Sequence, residues 1–97
     1  LQRVTDALAR AGLLVERRGE LPDEALGIAD DSRRVMRGGV FIAVRGSVGD
    51  GHDYLGGAEA SGAVAAIVED PTRTKLPAIV VRDGRRAAAI AAAAAYD

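Results

Sequence analysis

The run Val40-Phe41-Ile42-Ala43-Val44, which follows Gly38-Gly39, is the most clearly defined strand in the sequence. Its residues are apolar on both faces, and β-branched and aromatic side chains predominate, which is typical of a strand covered on both sides. The runs at 63–68 and 78–81 have the same apolar character. These three segments predict the buried centre of a β-sheet.

Predicted helices alternate with these strands. Apolar residues recur at spacings of three and four over residues 1–11, which predicts an amphipathic helix that Gly12 ends. Asp53 and Asp83 are each predicted to cap a further helix, and the second of these helices runs to Tyr96. Helices that alternate with apolar strands are typical of an α/β protein in which the helices pack on a sheet.

Two shorter strands are predicted nearer the amino terminus, at 13–15 and 25–29, separated by a polar turn around Pro22. The connections here are compatible with hairpins, so we expect a mixed sheet rather than a wholly parallel one. The predicted fold is α/β, a layered mixed β-sheet of about five strands with helices packed on it. A chain of 97 residues is expected to form one such domain.

The composition argues against several classes of function. The 13 basic and 14 acidic residues are interspersed, and aromatic residues are few, so a basic nucleic-acid-binding surface with stacking rings is not expected. The longest apolar stretch, 87–96, is too short to cross a bilayer. Charged residues interrupt 1–14, where a signal peptide would be apolar. We therefore expect a cytoplasmic protein that binds neither nucleic acid nor membranes.

The first polar cluster, 30–34, follows a predicted strand and has the sequence Asp-Asp-Ser-Arg-Arg. Ligands of open α/β sheets bind beyond the strand ends. The hydroxyl of Ser32 and the planar cation of Arg33 suit the oxygens of a phosphate. The alternative interpretation is a capped turn, in which Asp31 or Ser32 accepts hydrogen bonds from nearby backbone amides and both arginines lie in solvent.

The second polar cluster, 45–53, contains Gly46-x-x-Gly49-x-Gly51 between a predicted strand and a predicted helix. This glycine spacing is reversed relative to the dinucleotide-binding motif G-x-G-x-x-G, and no acidic ribose ligand follows after a clear next strand. The backbone N–H groups of Gly46 to Gly49 are nevertheless candidates for binding an anion. The alternative is a flexible turn.

His52 is the only histidine, and the chain has no cysteine. A metal site built from several histidines and a thiol–imidazole pair are therefore both excluded. A single loop histidine is more typical of a hydrogen-bonded structural residue than of a general base. Lys75 does not stand in a glycine-rich phosphate loop, so no ATP-binding motif is present. We expect no catalytic residue, metal or cofactor in this chain.

Several motifs, in order, resemble the amino-terminal domain of the Mur ligases. The family pattern is close to D-S-R-x-V-x-P-G-D-L-F-V-A-L-x-G, then D-G-H-x-F, then a helix that ends A-x-x-x-G-A. Arg37 replaces the usual proline and Gly39 the usual aspartate. The stretches that resemble the pattern are Asp31 to Val35, Gly38 to Gly46, Asp50 to Tyr54, and Ala58 with Gly62-Ala63, with Tyr54 in place of the phenylalanine.

The resemblance implies a mixed α/β domain that binds the UDP portion of a UDP-N-acetylmuramoyl-peptide (UDP-MurNAc-peptide). It also implies that two further domains of the same protein lie outside residues 1–97: a central ATPase domain, which uses ATP and Mg²⁺, and a carboxyl-terminal domain. Together with the two polar clusters, the resemblance gives the candidate substrate-binding residues Asp30, Ser32, Arg33, Ser47, Val48 and Gly49.

Within the family, the chain is most similar to the ligases that add the third amino acid, diaminopimelate or lysine, to UDP-MurNAc-L-Ala-D-Glu in peptidoglycan synthesis. The ligase that adds D-alanyl-D-alanine is the alternative. Its motif D-G-H-D-F is close to the D-G-H-D-Y of this chain at 50–54, but its loop commonly reads G-E-R where this chain has Gly46-Ser47-Val48. An α/β interaction module without enzymatic function is the alternative from another class.

Overall fold

The computed structural model describes residues 1–46 and 49–96. Within these residues the strands are β1 (Leu14–Arg18), β2 (Ile28–Ala29), β3 (Val40–Ile42), β4 (Ala65–Val68) and β5 (Ala78–Val81). The helices are α1 (Gln2–Arg10), α2 (Leu55–Ala60) and α3 (Gly84–Tyr96), and short 3₁₀ turns lie at Ser32–Arg34, Gly51–Tyr54 and Pro71–Arg73. None of the helices in this part of the chain is long and apolar enough to cross a membrane.

The strands form one mixed sheet in the order β1-β5-β4-β3-β2. Strands β2 to β5 are parallel, and β1 pairs antiparallel with β5, with Arg17 opposite Ile79. The predicted α/β fold with a layered mixed sheet of about five strands is confirmed. The connection between the early strands is compatible with a hairpin in sequence but does not form one, because β1 and β2 lie at opposite edges of the sheet. Helix α1 packs beside α3. Strand β1, which follows α1, therefore lies next to β5 and pairs with it.

The two edge strands also differ in length from the prediction. β1 continues to Arg18, although a polar turn was expected after residue 15. Its last four residues are all exposed, which an edge strand tolerates because it has a neighbour on one side only. β2 is limited to Ile28–Ala29, which pair with Val40 and Phe41.

Successive residues of β3 face opposite sides of the sheet, as in any strand. Val40 and Ile42 pack with Leu8 of α1 and with buried alanines of α3. Phe41 packs on the other side with Leu55 of α2. The prediction that this strand is covered on both faces is therefore confirmed.

Two of the predicted helix ends are confirmed. Gly12 ends α1 with a φ of 75°, a left-handed conformation that favours glycine, and its N–H donates to the carbonyl of Ala9 at 3.0 Å. Asp83 caps α3, since its carboxylate accepts hydrogen bonds from the backbone N–H groups of Arg85 and Arg86 at 3.1 and 3.2 Å.

The predicted cap at Asp53 is wrong. Helix α2 begins at Leu55 without a side-chain cap. The 3₁₀ turn Gly51–Tyr54 precedes it, and Asp50 caps that turn by accepting a hydrogen bond from the backbone N–H of His52 at 2.9 Å. The capping residue is therefore Asp50, one turn earlier than we expected, because the 3₁₀ turn lies between β3 and α2.

Candidate functional site

The carboxyl ends of β2, β3, β4 and β5 lie along one edge of the sheet because these strands are parallel. We call this the carboxyl edge. The polar segments 30–34, 45–53, 69–73 and 82–84 come after the four strands. The structure thus brings both predicted clusters to the same edge, where ligands of open α/β sheets bind.

Asp31 and Arg33 form a capped turn after β2. The Asp31 carboxylate accepts a hydrogen bond from the backbone N–H of Arg33 at 2.9 Å, and Nε and Nη2 of the same arginine donate to it at 3.1 and 2.9 Å. The hydrogen bonds from the Arg33 side chain, followed by that from its backbone, lower the pKa of Asp31 to about 2. The capped turn is therefore confirmed. Arg33 is 88% exposed, yet it is paired rather than simply solvated.

The first cluster forms one side of an open cleft, and Tyr54 forms part of the other. The cleft has a volume of about 620 Å³ and is lined by Asp30, Asp31, Ser32, Arg33 and Tyr54. Ser32 is half-buried, whereas the Tyr54 side chain is 58% exposed. An exposed aromatic ring beside a hydroxyl and a guanidinium offers a stacking surface and hydrogen-bonding groups in one place. Tyr54 was not among the candidate residues, although it ends the D-G-H-x-F motif.

Arg45 and Asp50 form the base of the second cluster. They pair as an isolated antiparallel bridge, and Nε of Arg45 lies 3.5 Å from Oδ2 of Asp50. Between them, the N–H of Gly46 donates to the carbonyl of Gly49 at 2.8 Å. The prediction that the Gly46 amide is available to an anion is therefore wrong, because this hydrogen bond occupies it.

The candidate binding residues fall into three groups. Asp30, Ser32 and Arg33 line the cleft. Gly49 is exposed at the second cluster, and its carbonyl accepts the Gly46 hydrogen bond. Ser47 and Val48 lie outside the described residues.

His52 is a buried structural residue, as its pattern predicted. Its side chain has no solvent exposure, and Nδ1 lies 2.7 Å from Oδ1 of Asp50. Nε2 accepts hydrogen bonds from the backbone N–H groups of Glu69 and Asp70, both at 3.1 Å. Because both partners of Nε2 are donors, the ring proton lies on Nδ1 and is donated to Asp50. Both ring nitrogens are thus engaged within the protein, and His52 is not placed to act as a general base.

Two arginines balance the carboxylates of the carboxyl edge. Besides pairing with Asp50, Arg45 places Nη1 3.4 Å from Oε1 of Glu69. Arg73 places Nη1 3.6 Å from Oδ2 of Asp50. The hydrogen bonds from His52 are the main cause that lowers the pKa of Asp50, and the positive charge of Arg45 adds to the effect. These ion pairs offset the negative charge of the edge, so a negatively charged ligand meets less repulsion there.

The first turn of α3 also lies at this edge. The N–H of Gly84 donates to Oε2 of Glu69 at 2.8 Å. A Cβ at Gly84 would lie 2.7 Å from the carbonyl oxygen of Ala43, so only glycine permits this close approach. Ala87 and Ala91 are fully buried behind it. The small side chains of α3 thus let the helix pack directly on the sheet.

Metal binding has no support in the described residues. Residues 1–46 and 49–96 contain no group of three or more His, Asp or Glu side chains that is placed to hold a metal ion. The carboxylates of Asp50 and Glu69 are instead bonded to arginines and backbone amides. What this edge offers chemically is hydrogen bonding, stacking and charge.

A family model described as "Mur ligase family, catalytic domain" matches residues 25–96, which include both clusters and the whole carboxyl edge. The chain belongs to the Mur ligase family. The resemblance carried by the D-S-R and D-G-H motifs is therefore confirmed, and the match leaves α1 and most of the segment before β2 outside it.

Two curated relatives of this Mur ligase chain have the same name, UDP-N-acetylmuramoyl-L-alanyl-D-glutamate–2,6-diaminopimelate ligase. The protein from Geobacter metallireducens is 45% identical over 91 residues, which are 92% of this chain and 18% of that protein. The protein from Chlorobaculum tepidum is 40% identical, with 97% of this chain and 20% of that protein covered. The chain thus spans about a fifth of the length of these relatives.

A solved structure confirms the fold. The crystal structure of MurF from Acinetobacter baumannii superposes with a TM-score of 0.75 at 27% sequence identity, and the superposition covers 92% of this chain and 19% of that chain. The mixed sheet and its helices are therefore a fold that Mur ligases share.

Proposed function

We propose that residues 1–97 form the amino-terminal, UDP-sugar-binding domain of a ligase that adds the third amino acid to UDP-MurNAc-L-Ala-D-Glu. The names of the relatives from G. metallireducens and C. tepidum support this reaction and favour diaminopimelate over lysine. The full-length protein is then an ATP-dependent amide-forming ligase that works in the cytoplasm in peptidoglycan synthesis. Its central and carboxyl-terminal domains lie outside this chain.

The observation that carries the proposal is the cleft that joins the D-S-R motif to Tyr54. Its volume of about 620 Å³ lies in the range of small-molecule sites. The exposed ring of Tyr54 suits the flat face of uracil, and the Ser32 hydroxyl both donates and accepts hydrogen bonds. Asp30 adds a carboxylate that accepts from an N–H or hydroxyl group of the ligand.

Arg33 supplies the positive charge for the diphosphate. A guanidinium carries about five N–H donors, and Asp31 occupies those of Nε and one on Nη2. The remaining donors point from a side chain that is 88% exposed. Asp31 thus orients the guanidinium and leaves donors for a phosphate oxygen. Ser47, Val48 and Gly49 are proposed as further contacts because they occupy the loop that the family motif assigns to the uridine side.

The domain contributes affinity and orientation, whereas the bond-forming chemistry belongs to the other domains. Fixing one substrate turns a bimolecular encounter into a nearly unimolecular step. ATP and Mg²⁺ supply phosphoryl-transfer chemistry in the full-length enzyme. Lys75 lies in Thr74-Lys75-Leu76, outside any glycine-rich loop, so the residues of this chain do not fit the ATP phosphates. The isolated chain is therefore inactive as a ligase.

A second candidate is the ligase that adds D-alanyl-D-alanine, because the A. baumannii structure that superposes well is a MurF protein. The two candidates share the fold and the UDP moiety of the substrate, so binding of UDP does not separate them. An activity assay of the full-length protein separates the two candidates. It is incubated with ATP, Mg²⁺ and either UDP-MurNAc-L-Ala-D-Glu plus diaminopimelate or lysine, or UDP-MurNAc-tripeptide plus D-alanyl-D-alanine.

Titration of the ¹⁵N-labelled chain with UDP, followed by amide resonances, tests the binding site. We expect saturable shifts at Ser32 and at residues 47–49, with smaller ones at Tyr54. Adenosine diphosphate serves as the control, since it carries the same diphosphate with a different base. A folded chain with no shifts at millimolar UDP would overturn the proposal. A protein partner recovered in a pull-down, without a nucleotide response, would support the interaction module instead.

A further inference from the structure

We propose that His52 is a positioning residue, which acts through Asp50 to fix the positions of Arg45, Gly46 and Gly49. Gly46 and Gly49 flank Ser47 and Val48 in the sequence, and these two residues are among the proposed substrate contacts. The ligand part of this inference rests on the proposed function. The part that concerns the free protein rests on hydrogen bonds alone.

The His52 ring joins the polar segments after β3 and β4. On one side, Nδ1 lies 2.7 Å from Asp50. On the other, Nε2 accepts the backbone N–H groups of Glu69 and Asp70, which follow directly on β4. His52 thus fixes the position of Asp50 relative to the end of β4, a central strand whose residues are all buried.

Arg45 is held at the same place, directly after β4. Arg45 lies 3.4 Å from Glu69 and 3.5 Å from Asp50. The Gly46 N–H, next to Arg45, donates to the carbonyl of Gly49, next to Asp50, at 2.8 Å. Arg45 and Asp50 are therefore both anchored at the end of β4, and the anchor formed by His52 is buried from solvent.

A neutral imidazole meets the requirements of this position. The site needs one donor directed at a carboxylate and, on the far side of the ring, one acceptor for two backbone N–H groups. An imidazole with its proton on Nδ1 provides both at a fixed separation. Removal of the ring leaves the N–H groups of Glu69 and Asp70 without their side-chain acceptor. It also allows the Asp50 carboxylate to shift toward Arg45 or Arg73, with which it already forms ion pairs.

The test compares His52→Ala with Val4→Ala, which removes a buried side chain on α1, away from the carboxyl edge. In the ligand-free protein we expect His52→Ala to shift the Gly46 and Gly49 amide resonances and to speed hydrogen exchange at Gly46 by about tenfold, the equivalent of one hydrogen bond. Val4→Ala is expected to leave these two resonances unchanged. A folded His52→Ala protein with wild-type resonances at Gly46 and Gly49 would overturn the proposal.

A pair of variants at Asp50 keeps the test decisive if His52→Ala fails to fold. Asp50→Asn retains an oxygen that accepts from His52, whereas Asp50→Ala does not. We expect Asp50→Asn to keep the Gly46 resonance near its wild-type position and UDP affinity within about threefold, and Asp50→Ala to weaken UDP binding by about tenfold. Equal effects of the two variants would contradict the proposal. If the wild-type chain binds no UDP, the proposed function fails, and the resonances of the free protein still decide the role of His52.

Discussion

Gly51 lies against Val44 so closely that a Cβ on Gly51 would stand 2.5 Å from the backbone nitrogen of Val44. The N–H of Gly51 donates to the carbonyl of Val44 at 2.8 Å. The glycine of the D-G-H motif is therefore needed for contact with the segment that leaves β3. Its role is structural, and it brings the flanking Asp50 and His52 into place.

Replacement of Gly51 by alanine is expected to destabilise the fold. The added methyl group meets backbone atoms, which yield less readily than a side chain, so we expect a loss of about 1–3 kcal/mol in the free energy of unfolding. Urea denaturation measures it. Gly56→Ala is the matched control, because a Cβ there meets nothing within 4 Å and the residue lies in α2. That control should gain about 0.5 kcal/mol, since alanine favours helix. Equal stabilities of the two variants would refute the close-contact account.

Tyr54→Ala is expected to weaken UDP binding with little effect on stability. Stacking of a base on an aromatic ring contributes about 1–3 kcal/mol, which corresponds to a loss of affinity of about 5- to 150-fold. The side chain is 58% exposed, so the urea midpoint should change little. Tyr54→Phe keeps the ring and should bind UDP within about threefold of the wild type. Calorimetric titration of the three proteins makes the comparison, and equal affinities would remove Tyr54 from the site.

The capping carboxylates should make the fold sensitive to acid. The pKa of Asp31 in the folded chain is about 2, and hydrogen bonds also lower the pKa values of Asp50 and Asp70. Groups with a folded pKa below the unfolded one contribute stability that is complete above about pH 5 and is lost as the pH falls toward 2. We therefore expect the urea midpoint to fall between pH 5 and pH 2. The difference between wild type and Asp31→Asn should shrink over the same range, and a constant difference would contradict this account.

The pairing of Arg33 with Asp31 predicts a measurable change in titration. Arg33→Gln removes the guanidinium, which is the main cause of the low pKa of Asp31, while the backbone N–H of residue 33 still donates to the carboxylate. We expect the pKa of Asp31 to rise from about 2 and to remain below 3.8. Carbon-detected NMR titration of the Asp31 carboxyl measures it. An unchanged pKa would show that the side-chain pair does not form in solution.

The central sheet was predictable because its signal is local. The run 40–44 and the two later strands are apolar on both faces, and burial on both faces follows from that composition. The partner of β1 was not predictable. Nothing in Leu14–Arg18 specifies β5, and the pairing follows from the packing of α1 beside α3, a contact between the two ends of the chain.

The site was predictable only in part, for a similar reason. The two polar clusters were expected at strand ends, and parallel pairing brings them to one edge. The cleft itself combines Ser32 of the first cluster with Tyr54, which directly follows the second cluster, and no local pattern links them. The Gly46 amide was assigned to a ligand because glycines often expose their N–H groups, whereas the carbonyl of Gly49 occupies it.

Binding of UDP-MurNAc-L-Ala-D-Glu to the isolated chain, measured by calorimetry for the wild type and for Ser32→Ala, tests the central claim most directly. Ser32 lines the cleft, but the capping hydrogen bond belongs to Asp31, so the variant should fold normally. We expect saturable binding by the wild type and an affinity about tenfold lower for Ser32→Ala, because the variant loses one hydrogen bond to a charged ligand. Absence of binding by the folded wild-type chain at millimolar substrate, or equal affinities of the two proteins, would contradict it.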